Sequence, residues 1–438
     1  MTSELLQQVR VIDPVSGSDR SSSDVLIADG VIKAVAQQIS DYPADTQIKD
    51  CRGLVLGPGL VDLYSHSGEP GFEERETLAT LFAAATAGGF TRLNILPDTT
   101  PPLDNPAGLA KLQQQWQQVR GTQAFLTGLP GLTQLPQLSF WGAITLGVQG
   151  QQMTELAELA ATSGVVGFAD GQPLENLALL RRVLEYVKPL GKQIALYPCN
   201  RELAGNGVMR EGSYSIRFGL PGNPAIAQTT ALASILELVA AIGTPVHIMR
   251  VSTARGVELI QAAKARGLPI TASTTWMHLL LDTRAVSSYN SSLRIEPPLG
   301  NPEDLVALRQ GLRAGILDAI AIDHSPYAYE EKTVAFESAP PGAIGLELAL
   351  PLLWQHLVEE KEFSALELWR CLSTRPTECL QHTPKPIAPG EPANLTLFSP
   401  QQPWTVENQT LQSRSNNTPW LGQQVNGRVV KTWLEKEV

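Results

Sequence analysis

The sequence predicts an α/β protein: a (β/α)8 TIM-type barrel with a small β-sandwich domain built from both chain ends. Two observations lead there. Through the middle of the 438 residues, short apolar runs of buried-strand type alternate with helical patterns. At both ends the chain instead alternates apolar and polar residues, with turn residues between.

The ends come first. "VRVID", "SSDVLIADGVIKAVAQ" and "TQIKDCRG" read as short strands and hairpins, and the pair Asp29-Gly30 suits a tight turn. In the tail, "ANLTLFSP", "WTVENQT" and "GQQVNGRVVKTWLE" are strand-like pieces separated by Pro, Asn and Gly. Neither end holds enough apolar residues for its own core. The expected division is residues 1–53 with 385–438 as one composite sandwich, and residues 54–384 as the barrel.

The expected barrel strands are "LVLGPGLVDLY", "GGFTRLNILP", "TQAFLTG", "GVVGFAD", "KQIALYP", "PVHIMRVS", "LPITASTT" and "LDAIAID". Helical patterns such as "ETLATLFAAATAGG", "MTELAELAATSG", "LENLALLRRVLEYVKPLG", "PAIAQTTALASILELVAAIG" and "ARGVELIQAAKARG" lie between them, and many close on glycine, the usual helix stop. No sequence repeat accompanies this rhythm. An open doubly wound sheet is the rival arrangement.

Composition bounds the function. Hydrophobic residues make up 43% of the chain and charged ones 17%, which suits a packed core and argues against disorder. The net charge of −10 speaks against nucleic acid and anionic membrane surfaces as partners. Cys51, Cys199, Cys371 and Cys379 are scattered, with neither zinc-ribbon nor disulfide spacing. The start lacks a secretory pattern and no apolar run is long enough to span a bilayer, so the expected location is cytoplasmic.

A barrel of this kind places its active site at the C-terminal ends of the strands. The polar residues expected there are Tyr64 and His66, Asp98, Asp170, Tyr197 and Asn200, His247 and Arg250, His278, and Asp323 with His324. His66, Asp170 and Asp323 could together hold a metal. Each alone also has a plain structural reading, as a hydrogen-bonded histidine or a turn and cap aspartate. The chain has six histidines in all, and His356 and His382 lie beyond the barrel strands, a poor supply for a two-metal site.

The segments "PGLVD", "EPGFEERET", "AAATAGGFT", "DTTPPLDN", "GAITLG", "VSTARGVELIQAAKARG", "PPLGNPEDLVALRQGL", "DAIAIDHSPYAYEEK", "GAIGLELALPLL" and "NNTPWLGQQVNGRVV" occur in one order along the chain. In them the chain resembles the dihydroorotases and related cyclic amidohydrolases over nearly its whole length. The resemblance implies an amidohydrolase barrel, zinc, and the reversible ring closure of carbamoyl aspartate to dihydroorotate in pyrimidine biosynthesis. It also exposes departures. The family's first-strand His-X-His is Tyr64-Ser65-His66 here. Its substrate-gripping arginine two residues later is Gly68, and the asparagine of its Pro-Asn-Thr segment is Asp98. Its ligand histidines on strands 5 and 6 align with Tyr197 and Arg250. Its asparagine before Pro-Pro-Leu is Glu296, and the histidine that follows Asp-His-Ala-Pro is Tyr327. Asp170 and Asp323 stand where the family has metal aspartates, and Asp323 also matches its proton shuttle.

These departures imply a pseudoenzyme. Arg250 would aim a permanent positive charge at the metal's place. A guanidinium paired with Asp170, Asp323 or both is the simpler arrangement, with His66, Asp170 and Asp323 a remnant site and no cofactor expected. Without the metal there is no activated water and no Lewis acid. Gly68 and Asp98 each oppose a dianionic substrate. The expected role is a structural subunit, with aspartate carbamoyltransferase as the partner that the resemblance suggests, and a homo-oligomer as the usual state for the fold. The alternatives are an active dihydroorotase or other cyclic amidohydrolase with a reduced zinc site, marked by bound zinc, and a metal-free binding protein for a small metabolite, marked by ligand-induced stabilisation. Tyr64, Tyr197, Arg250 and His324 would then take a small anion.

Overall fold

Both chain ends join one mixed sheet. The computed structural model describes residues 3–121 and 135–434. The chain opens with β1 (Ser3–Asp13), β2 (Ser18–Ala28), β3 (Val31–Ala36), β4 (Gln47–Asp50) and β5 (Val55–Pro58). It then builds β6 (Leu60–Val61), β7 (Phe90–Ile95), β8 (Gln137–Gly142), β9 (Val165–Phe168) and β10 (Gln193–Leu196). A short pair, β11 (Met209–Arg210) and β12 (Gly222–Asn223), precedes β13 (Val246–Ile248), β14 (Ile270–Thr275) and β15 (Ala319–Ala321). The tail supplies β16 (Leu395–Thr405) and β17 (Gln424–Trp433). The terminal sheet runs β17-β16-β5-β1-β2-β3, with β4 against β1. Its inner face buries Leu6, Val9, Val11, Val25, Leu56, Leu395 and Leu397. Lys431 and Glu4 tie the two ends together at 2.6 Å.

Eight parallel strands form the second sheet in the order β15-β14-β13-β10-β9-β8-β7-β6. Hydrogen bonds between its first and last strand segments close it into a barrel. Asp323 N donates to the Tyr64 carbonyl at 3.2 Å and His66 N to the His324 carbonyl at 2.8 Å. The buried Asp62 carboxylate adds a stitch, accepting from Ile322 N and from the Ser65 hydroxyl. Trp141, Tyr64 and Tyr197 fill the barrel interior opposite small residues, Ala195, Ala319 and Ala321. This alternation of large and small side chains leaves a packed lumen and no pore.

The helices follow the sequence pattern. Leu78–Ala87 starts at Thr77, whose hydroxyl accepts from Thr80 N, and buries Leu78, Leu81 and Phe82. Ile226–Ile242 ends at Gly243, whose φ of 80° suits glycine. One strand expectation changes. The run Leu54–Tyr64 is divided, because β5 joins the terminal sheet and β6 begins the barrel. At the break a side chain on Gly59 would collide with Thr91. The third barrel strand among the described residues is β8, whereas "TQAFLTG", expected in that place, lies outside them. Among the described residues, no helix is long and apolar enough to cross a membrane.

Candidate functional site

The barrel mouth holds a cavity of about 130 Å3, lined on its floor by His66, Asp98, Arg250 and Asp323. Arg250 follows β13 and organises the floor. Its Nε donates to Asp323 Oδ2 at 2.8 Å and its Nη2 to Asp323 Oδ1 at 2.6 Å, a bidentate fork. Nη1 donates to the Gly171 carbonyl at 2.9 Å. The guanidinium carbon lies 5.2 Å from the ring centre of Tyr197 and 5.8 Å from that of Tyr64. Both Arg250 and Asp323 have positive φ, 53° and 54°, so the two strand ends turn sharply towards each other.

His66 completes the network. Its Nδ1 is 2.6 Å from Asp98 Oδ2, and its Nε2 is 3.6 Å from Asp323 Oδ1 and 3.1 Å from Arg250 Nη2. Burial opposes a charge on His66, but Asp98 and Asp323 outweigh it and raise the imidazole to about 9. Burial likewise pushes Asp323 up, yet Arg250 and His66 bring it down to about 2. Arg250 Nη2 and His66 Nε2 both approach Asp323 Oδ1, while Asp98 holds the other nitrogen of His66.

The other expected site residues part company here. Asp170 does not reach Arg250. Its oxygens accept from Ile144 N at 2.8 Å, Thr145 N at 3.0 Å and the Thr145 hydroxyl at 2.6 Å, so it pins the loop after β8. Burial raises its pKa above the usual carboxylate range despite these donors. Tyr64 lies below the floor in a buried chain: its hydroxyl is 2.9 Å from Ser273 Oγ, which is 2.9 Å from His247 Nε2. His324 faces away from the cavity, accepting from Gly345 N at Nδ1 and standing 3.4 Å from Glu76. Glu296 lines the rim. At Gly68 an added Cβ would lie 2.7 Å from both the Phe72 carbonyl and Glu76 N, so the loop leaves no room for a side chain.

As they stand, His66, Asp170 and Asp323 do not fit a metal ion. One faces a loop, one has both oxygens on a guanidinium, and the third faces that guanidinium with its free nitrogen. Among the described residues, no group of three or more His, Cys, Asp or Glu is placed to hold a metal.

Some of the surroundings are not evident from motifs. Arg75 stacks on Phe72 at 4.0 Å and Tyr327 at 4.8 Å while pairing with Glu331 at 2.6 Å. The charge alternation in "EPGFEERET" and "YAYEEK" is the only sequence trace of that pair. Tail residues also reach the mouth: Asn417 donates to the Ser325 carbonyl at 2.9 Å and accepts from Tyr327 N at 3.1 Å.

A closed eight-stranded parallel barrel with its polar cluster at the strand ends is a TIM-type barrel, and solved structures share that fold. L-hydantoinase from Arthrobacter aurescens superimposes with a TM-score of 0.81 at 20% identity, covering 100% of this chain and 98% of that one. The dihydropyrimidinase from Brevibacillus agri gives 0.78 at 20% identity, over 99% and 95%. At that identity the likeness shows the fold. Sequence goes further. A family model described as "Dihydro-orotase-like" matches residues 53–255. A "Probable dihydroorotase-like protein" of Synechocystis sp. is 45% identical, over 98% of this chain and 99% of that one. A "Dihydroorotase" of Syntrophus aciditrophicus is 34% identical, over 99% and 98%. The chain belongs to the dihydroorotase-like family of cyclic amidohydrolases.

Proposed function

We propose that this dihydroorotase-like chain is a pseudoenzyme that does not carry out metal-dependent hydrolysis or closure of a cyclic amide. The observation that carries this reading is the Arg250 fork on Asp323, with His66 at its side. A divalent ion there would stand against a cation that cannot discharge. The carboxylate that would shuttle a proton is engaged at both oxygens. Substrate recognition is opposed as well, since Gly68 offers no cation and Asp98 presents a negative charge.

The chain then acts through assembly in pyrimidine biosynthesis, as a homo-oligomer and as a structural partner of aspartate carbamoyltransferase. The test joins three measurements on the purified full chain: zinc content after incubation with zinc, turnover of dihydroorotate and carbamoyl aspartate, and co-purification with aspartate carbamoyltransferase. Metal near zero, no turnover and co-purification are expected. Stoichiometric zinc with turnover would establish the alternative, an active dihydroorotase with a reduced site, which the relatives named dihydroorotase favour.

A further inference from the structure

Beside the mouth lies a second chamber of about 380 Å3, between the loop after β10 and the segment that follows β14. Its charged lining is Arg201, Arg294, Glu296 and Glu337, two of each sign. None of the four forms an ion pair with another within 4.0 Å. Arg201 and Glu337 are exposed and amply solvated. Arg294 and Glu296 are half-buried and are not.

The Arg294 side chain makes a single hydrogen bond, from Nη1 to the Ile295 carbonyl at 3.3 Å. Its Nε is sealed from solvent without an acceptor. A half-buried guanidinium with most of its donors unused is costly unless something completes it. Its charge is felt nearby: burial first, then Arg294, lower Lys332 to about 7. Glu296 accepts no hydrogen bond from any described residue. Arg294 has extended backbone, φ −78° and ψ 96°. Arg294 and Glu296, two residues apart in the chain, both line this chamber. A group carrying both charges on neighbouring atoms could sit between them.

We propose that this chamber binds a zwitterionic small molecule of the α-amino-acid class, its carboxylate on Arg294 and its ammonium on Glu296. The chamber shares Glu296 with the rim of the mouth but none of His66, Asp98, Arg250 and Asp323, so it stands whether or not the barrel turns over a cyclic amide. Its ligand differs from an N-carbamoyl amino acid, which has no ammonium for Glu296.

The test is titration calorimetry of the full chain with the proteinogenic L-amino acids, and with the N-carbamoyl and carboxamide forms of any that bind. The expected result is saturable binding of at least one free amino acid, weakened about tenfold or more when either charged end is blocked. Glu296→Gln and Arg294→Gln should weaken it by a similar factor, and an unchanged unfolding midpoint in Glu296→Gln would show that the loss is local. The proposal is overturned if no free amino acid binds, or if blocked forms bind as well as free ones. Turnover of dihydroorotate would refute the pseudoenzyme reading and leave this result untouched.

Discussion

Arg250 can be tested by subtraction. Its fork on Asp323 is buried, with the two side chains 5% and 13% exposed. Removing one partner of such a pair leaves an uncompensated charge, whereas replacing both with apolar residues often does not. Arg250→Met is therefore expected to lower stability by about 3 kcal/mol. Arg250→Met with Asp323→Leu should recover much of that loss, as read from urea unfolding. Equal losses in both variants would mean that the fork carries no special weight. Gly68 gives a second residue-scale expectation. Gly68→Arg should destabilise the chain and fail to restore substrate binding, because the Phe72 and Glu76 backbone already fills that space. A stable variant that gains carbamoyl aspartate binding would contradict this. The place of Arg250 is legible from the family resemblance, and its permanent charge calls for a carboxylate partner, with Asp170 and Asp323 both open; the structure chooses Asp323. The turning away of Asp170 is not legible, because it depends on three donors from a loop 25 residues upstream.

At the scale of elements, β13 carries a pH expectation. His247 lies between Thr271 Oγ1 at 2.8 Å and Ser273 Oγ at 2.9 Å. Burial, and then the charge of Lys264, lowers it from 6.5 to about 3. Below pH 6.5 the unfolded chain takes up a proton at this position and the folded chain does not. The contribution is thus fully present above 6.5 and lost as pH falls towards 3. His278, lowered to about 4, loses stability across the same range. His247→Gln should keep polar contacts and flatten the acid side of a stability-against-pH curve; an identical slope in the variant would exclude His247 as a source. The strands themselves show what pattern can and cannot reveal. The strands "KQIALYP", "PVHIMRVS" and "LPITASTT" were legible because parallel strands buried on both faces read as apolar runs. The division of Leu54–Tyr64 was hidden, because both halves are equally apolar and only pairing with β16 and β7 separates them.

The whole molecule is held by its tail. Leu395–Phe398 pair with Val55–Pro58, and farther on Gln412 N and Ser413 N donate to the buried Glu347 at 2.8 and 3.0 Å. Ser413 and Arg414 bond to Glu76, and Asn417 bridges the segments at Ser325, Tyr327 and Gly342. The side-chain hydrogen bonds among these contacts span sequence separations from 65 to 338 residues, which no local pattern encodes. They make the terminal sheet and the barrel mutually dependent, and Ile12, Val55, Phe398 and Val425 of the terminal strands join the barrel's own apolar cluster, while the rest of that sheet packs in a separate one. Heating the full chain should therefore give one cooperative transition, with tryptophan fluorescence and far-ultraviolet circular dichroism coinciding. Asn417→Ala removes two donated bonds and one accepted bond, leaving the carbonyls of Ser325 and Gly342 without this donor. It should lower the midpoint by an amount equivalent to about 2 kcal/mol while keeping a single transition. Two resolved transitions in the parent chain, or an Asn417→Ala midpoint equal to the parent's, would show instead that the tail rests on the barrel without supporting it.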